Sequence, residues 1–143
     1  MEGRVKWVEN ALFLAQSESG HSIVIDGPAE GGGQNLGVRP MEMVLLGVGG
    51  CSTYDVVHIL KKARQPVTDC EVVLNAERAD AVPAVFTRIN MHFIVKGGQG
   101  LKEAQVERAV KLSAEKYCSA SIMLSKSVEI THSFEIKLDS ENE

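Results

Sequence analysis

Several features that would mark a specialised chain are missing from these 143 residues. Lys and Arg number 15 against 19 Asp and Glu, a formal net charge of -4, so the basic footprint of a nucleic-acid binder is absent. No apolar run approaches the ~20 residues that a membrane span needs. The longest, Met43–Cys51, is broken by Gly47, Gly49 and Gly50. The opening MEGRVKWVEN alternates charged and apolar residues and has no signal-peptide core. There is no internal repeat and no block of like charge. The three cysteines (Cys51, Cys70 and Cys118) are an odd number, and without an export signal they read as thiols rather than a disulfide framework. What remains is ordinary globular composition, with 44% hydrophobic and 24% charged residues and 13 Gly. The length suits one domain over residues 1–143. The expectation is a soluble cytoplasmic protein with neither nucleic-acid nor membrane partners.

Periodicity assigns the elements. Val5 and Trp7 alternate with Arg4 and Lys6, and Ala11–Ala15 and His21–Ile25 read as two further strands around the turn Ser17–Gly20. A flexible loop follows over Gly27–Pro40, at the length where loops are usually functional or disordered. Pro40 suits a first helical position. Helix is expected from Met41 to Ala63, with its first half apolar nearly all round. Gly49 and Gly50 inside it imply a kink or a very close contact. Two long alternating strands centred on Cys70–Glu77 and Thr87–Val95 form an antiparallel pair through Ala79–Val85. Leu101–Tyr117 is an amphipathic helix, Cys118–Leu124 a second helical piece, and Val128–Leu138 a last strand before the acidic tail Asp139–Glu143, expected to fray.

This order is not regular βα alternation, so it predicts an antiparallel α+β domain. A sheet covers one face of a helix. The other face of so apolar a central helix needs a second copy, which predicts a two-fold homodimer.

Few residues offer chemistry. Cys51 lies in the glycine-flanked helix and Cys118 follows the amphipathic one. Both also fit a core role, since free cysteine is among the most buried residue types. Glu42 stands in the first helical turn, where a carboxylate complements the helix dipole. Nine residues of straight helix separate it from Cys51 by ~13.5 Å and ~180°. A shared site therefore requires a break near Gly47–Gly50, an intermediary, or the other subunit. Cys51, Asp55 and His58 share a helix face as a metal site would require, but supply only three ligands. Cys70 reads as a core residue, and His21, His58, His92 and His132 form no HxxxH pair. The glycines at 31–33 match no nucleotide motif. No cofactor and no metal are assigned.

The segment Arg39-Pro-Met-Glu-Met-Val-Leu-Leu-Gly-Val-Gly-Gly-Cys51-Ser, with Ser113-Ala-Glu-Lys-Tyr-Cys118-Ser, resembles the OsmC/Ohr family and within it the YhfA-like branch. The resemblance covers nearly the whole chain. It implies an intertwined α+β homodimer in which antiparallel sheets wrap central buried helices. It also implies thiol-dependent reduction of organic hydroperoxides, with Cys51 peroxidatic, Cys118 resolving and a dithiol as the final reductant. The attacking thiol must be a thiolate, and in the family an Arg of the preceding loop supplies the charge, oriented by the Glu that matches Glu42. This sequence departs from the pattern twice. The family's Arg position falls on Ala29-Glu30-Gly31, leaving Arg39 as the only basic residue of the loop, and Cys118 is followed by Ser119 rather than Pro. Arg39 is expected to replace the missing cation. The competing expectation is a dimer without peroxidase activity that binds a small apolar ligand at the subunit interface.

Overall fold

The structure is a computed structural model that describes residues 1–140. It comprises two compact units, Met1–Val44 and a second beginning at Leu45. In the first, β1 (Gly3–Glu9), β2 (Leu12–Ser17) and β3 (Ser22–Ile25) form an antiparallel meander in that order. The expected strands are present, each displaced by a residue or two. The loop after β3 is more ordered than its glycines suggest. The carboxylate of Asp26 accepts the backbone N–H groups of Gly27 (2.7 Å), Gln34 (3.1 Å) and Leu36 (3.1 Å), which gathers the loop around one buried side chain. Burial alone would raise this carboxyl's pKa. The bonds from Leu36, Gly27 and Gln34, together with the nearby Arg39 charge, hold it below its usual 3.8. A Cβ at Gly33 would collide with the carbonyl of Gly27, and one at Gly37 with that of Val24, so glycine is required where the loop folds onto itself.

Helix α1 runs unbroken over Pro40–Lys62. The helix does not break at the glycines. Gly49 is the position of closest approach, since a Cβ there would lie 2.6 Å from Cδ1 of Leu74. Gly47 and Gly50 face open space. Val48, Gly49, Ser52, Val56 and Leu60 form the buried stripe, while Leu46, Gly47, Gly50 and Tyr54 lie on an exposed one. Within a single chain the first half of the helix is thus covered on one side. By length and composition alone α1 is apolar enough to cross a bilayer, a property hidden in the sequence because glycines interrupt its longest apolar run.

Two long strands follow, β4 (Val67–Arg78) and β5 (Phe86–Gly97), paired antiparallel with Val72 opposite Phe93 and Leu74 opposite Met91. Beyond them come α2 (Glu103–Leu112), a π turn (Ser113–Tyr117), α3 (Ser119–Leu124) and β6 (Glu129–Leu138). The sheet order is β4-β5-β6, and β6 pairs with β5 in parallel. This corrects the all-antiparallel expectation. The helical crossover returns the chain to the end of the sheet where β5 began, and only a parallel partner can form there. Strand β5 is the centre of the core. Ile89, Met91, Phe93 and Val95 are fully buried on one face, where truncation of a large side chain typically costs ~2–5 kcal/mol. Of the tail expected to fray, Asp139 is tied down. Its N–H donates to Gly97 at 2.9 Å and its carboxylate accepts the Thr68 hydroxyl at 2.9 Å. Residues 141–143 lie outside the described residues.

Candidate functional site

The second unit brings Cys51 and Cys118 together. Cys51 lies at the border between the buried and exposed stripes of α1 and is half-buried, whereas Cys118 is fully buried. Cys118 is positioned by the π turn, in which its N–H donates to the carbonyl of Ser113 at 2.9 Å. Such turns are frequent at functional sites. Its sulfur then caps α3 by accepting the Ser121 N–H at 3.3 Å. From the facing helix the Ser52 hydroxyl donates to the same sulfur at 3.1 Å. Burial pushes the Cys118 thiol above its ordinary range; the bonds from Ser52 and Ser121 oppose this, and neighbouring Cys51 adds to it.

Asp55 joins the pair. One carboxylate oxygen, Oδ2, accepts the Ser113 hydroxyl at 3.2 Å, and the ligand atoms of Cys51, Asp55 and Cys118 all lie within 4.8 Å of one another. The sequence grouped Cys51 and Asp55 with His58, and the structure replaces His58 by Cys118. His58 instead stacks on Tyr54, with ring centroids 6.0 Å apart, and lines a cavity of about 420 Å³ with Asp55, Lys62, Arg108 and Tyr117. Asp55 thus borders both cavity and thiols. The participation of Ser52 and Ser113, and the approach of Asp55 to Cys118, were not legible, because nothing in the spacing ties residues 52–55 to residues 113–118. Cys70 stands apart. Burial, and secondarily the charge of Asp69, push its thiol up to about 11, which keeps it protonated and inert.

The remaining two candidates belong to the first unit. Arg39 Nη1 donates to Asn35 Oδ1 at 2.8 Å and to the Gly37 carbonyl at 3.1 Å, and its Nε lies 3.8 Å from Glu42 Oε1. The same Glu42 oxygen accepts the Arg39 N–H at 3.2 Å. The Arg39–Glu42 pairing expected from the sequence is therefore present, although both side chains are partly exposed and such a pair stabilises by only ~0–1 kcal/mol.

Comparison with known proteins follows the same lines. The profile of the OsmC-like protein family matches residues 31–133. Protein YhfA of Escherichia coli K12 is 56% identical over 136 residues, spanning 95% of this chain and 98% of its own. Among solved structures, a hypothetical protein from Aquifex aeolicus VF5 superposes with a TM-score of 0.84 at 34% identity, covering 97% of both chains. An organic hydroperoxide resistance protein OsmC from Legionella pneumophila superposes with a TM-score of 0.71 at 16% identity, over 94% of this chain and 95% of that one, and so shares the fold. A helix carrying Cys51, a π turn delivering Cys118 to it, and a family match that spans both cysteines place this chain in the OsmC family.

Proposed function

We propose that this chain reduces organic hydroperoxides with the Cys51/Cys118 pair. The observation that carries the reading is the placement of the two sulfurs within 4.8 Å in an OsmC-family chain. The fold relative from Legionella pneumophila is described as an organic hydroperoxide resistance protein. The unequal burial of the thiols supports the division of labour, since the half-buried Cys51 can meet a peroxide and the sequestered Cys118 cannot. In the first step the Cys51 thiolate attacks the terminal peroxide oxygen. The O–O bond breaks, the alkoxide takes a proton and leaves as the alcohol, and Cys51 becomes a sulfenic acid. Cys118 then attacks that sulfur; the displaced hydroxide takes up the thiol proton and leaves as water, and the disulfide forms. An external dithiol returns both sulfurs to thiols by exchange. Arg39, held by Glu42, is the cation assigned to favour the Cys51 thiolate. A pair that must be re-reduced in each cycle suits the cytoplasm, and the working assembly is a homodimer.

One equivalent of cumene hydroperoxide added to reduced protein should be consumed in a burst and yield a Cys51–Cys118 disulfide, with Cys70 free by peptide mass mapping. Cys118→Ser should react once and retain Cys51 as sulfenic acid. A bridge through Cys70, or no consumption, sinks the proposal and favours the alternative of a dimer that binds a small apolar ligand without turnover.

A further inference from the structure

We propose that Cys51, Asp55 and Cys118 together form a site for a soft divalent transition-metal ion, zinc being the type, in the reduced protein. A disulfide-forming pair accounts for the two cysteines but not for Asp55. A carboxylate against two thiols disfavours the thiolate that peroxide chemistry needs. A cation held by all three turns this arrangement from a liability into a chelate.

The dimensions fit. Tetrahedral zinc with Zn–S of ~2.3 Å and Zn–O of ~2.0–2.2 Å keeps its ligand atoms ~3.5–3.8 Å apart. The three ligand atoms already converge within 4.8 Å, so small side-chain rotations close the shell. The donor set is selective as well. Two thiolates and one carboxylate suit zinc or cobalt, whereas magnesium and calcium call for oxygen ligands alone.

The outer shell is built. Ser52 Oγ (3.1 Å) and the Ser121 N–H (3.3 Å) donate to the Cys118 sulfur, and Ser113 Oγ (3.2 Å) donates to one oxygen of Asp55. Such second partners fix ligand orientation in metal sites. The ligands come from α1 and from the junction of the π turn with α3, so none sits on a free loop. Three protein ligands leave one tetrahedral position open to water or a small ligand. Metal and disulfide compete for the same two sulfurs, so binding withholds the pair from oxidants and oxidation expels the ion. The geometry alone supports this site, which stands whether or not Cys51 reduces peroxides.

Anaerobic titration of reduced, metal-free protein with Co²⁺ tests it. The expected result is one equivalent bound with sulfur-to-cobalt charge-transfer absorption, displaced by Zn²⁺. Cys51→Ser and Cys118→Ser should each abolish tight binding. Ser113→Ala should weaken it at least ~10-fold, and Asp55→Asn by more. Cys70→Ser should bind as wild type. Absent charge-transfer absorption, affinity unaltered in Cys118→Ser, or affinity unaltered in Asp55→Asn overturns the site. Circular dichroism checks the fold of each variant, and Cys51→Ser, near-isosteric and only half-buried, keeps the test decisive if Asp55→Asn does not fold. Hydroperoxide consumption by the metal-free protein is measured separately and reports on the peroxidase reading alone.

Discussion

Arg39 braces its loop. Its guanidinium ties Asn35 and Gly37 into the loop and its charge faces Glu42; its second role, as the cation favouring the Cys51 thiolate, is the one proposed above. The two roles separate experimentally. Arg39→Ala should slow both alkylation of Cys51 at neutral pH and peroxide reduction at least ~10-fold, since the thiolate is the nucleophile in both. If Arg39 is only a brace, the variant melts lower while both rates stay unchanged. His132 illustrates the opposite situation, a polar group without employment. It stacks on Phe93 with centroids 6.4 Å apart, its Nε2 has no hydrogen-bond partner among the described residues, and burial lowers its pKa.

Among the elements, the loop around Asp26 makes the clearest electrostatic statement. The folded state lowers this carboxyl's pKa from 3.8, so the fold prefers the charged form. Its stabilisation is complete above the unfolded value and fades as pH falls through the folded one. Asp26→Asn should therefore melt below wild type at neutral pH, with the gap closing once the solution is more acidic than about 3.8. A gap that stays constant into acid would remove the carboxylate from the account. Nothing but glycine fits at Gly33 and Gly37, yet in the sequence they are indistinguishable from the incidental glycines beside them. The strands and helices were legible because burial imposes periods of 2 and 3.6 on the residues that meet the core. Strand direction was not, since a period of two is the same read either way, and so the parallel pairing of β5 with β6 went unseen. The π turn also left no mark in Ser113–Tyr117, and with it went the reason Cys118 faces α1. The cysteines themselves were legible through the family resemblance. Asp55 was legible as a neighbour of Cys51 four residues along one helix face, but not as a neighbour of Cys118, because that side of the site is joined to it only through Ser113, 58 residues away along the chain.

For the molecule as a whole, the exposed stripe of α1 is the open question of assembly. Leu46 is 58% and Tyr54 71% exposed, with Gly47 and Gly50 between them, a surface a single chain leaves uncovered. The proposed homodimer covers it by close helix approach, and light scattering at micromolar concentration should return twice the chain mass. Gly50→Ala sharpens the test. In an isolated chain the added methyl meets nothing within 4 Å among the described residues and should stabilise the helix by up to ~1 kcal/mol, whereas at a close-packed interface Gly50→Leu should cost ~1–3 kcal/mol and loosen the dimer. Stabilisation by both variants with a monomeric mass would refute the assembly. The parallel pairing of β5 and β6 carries a mechanical consequence of its own. The segment between Gly97 and Glu129, which carries Cys118, is a crossover whose two ends are set at opposite ends of adjacent parallel strands. With both ends held by the β5–β6 ladder, the helical turns around Cys118 should open locally without the sheet unzipping, so their backbone amides should exchange with solvent faster than those of β5.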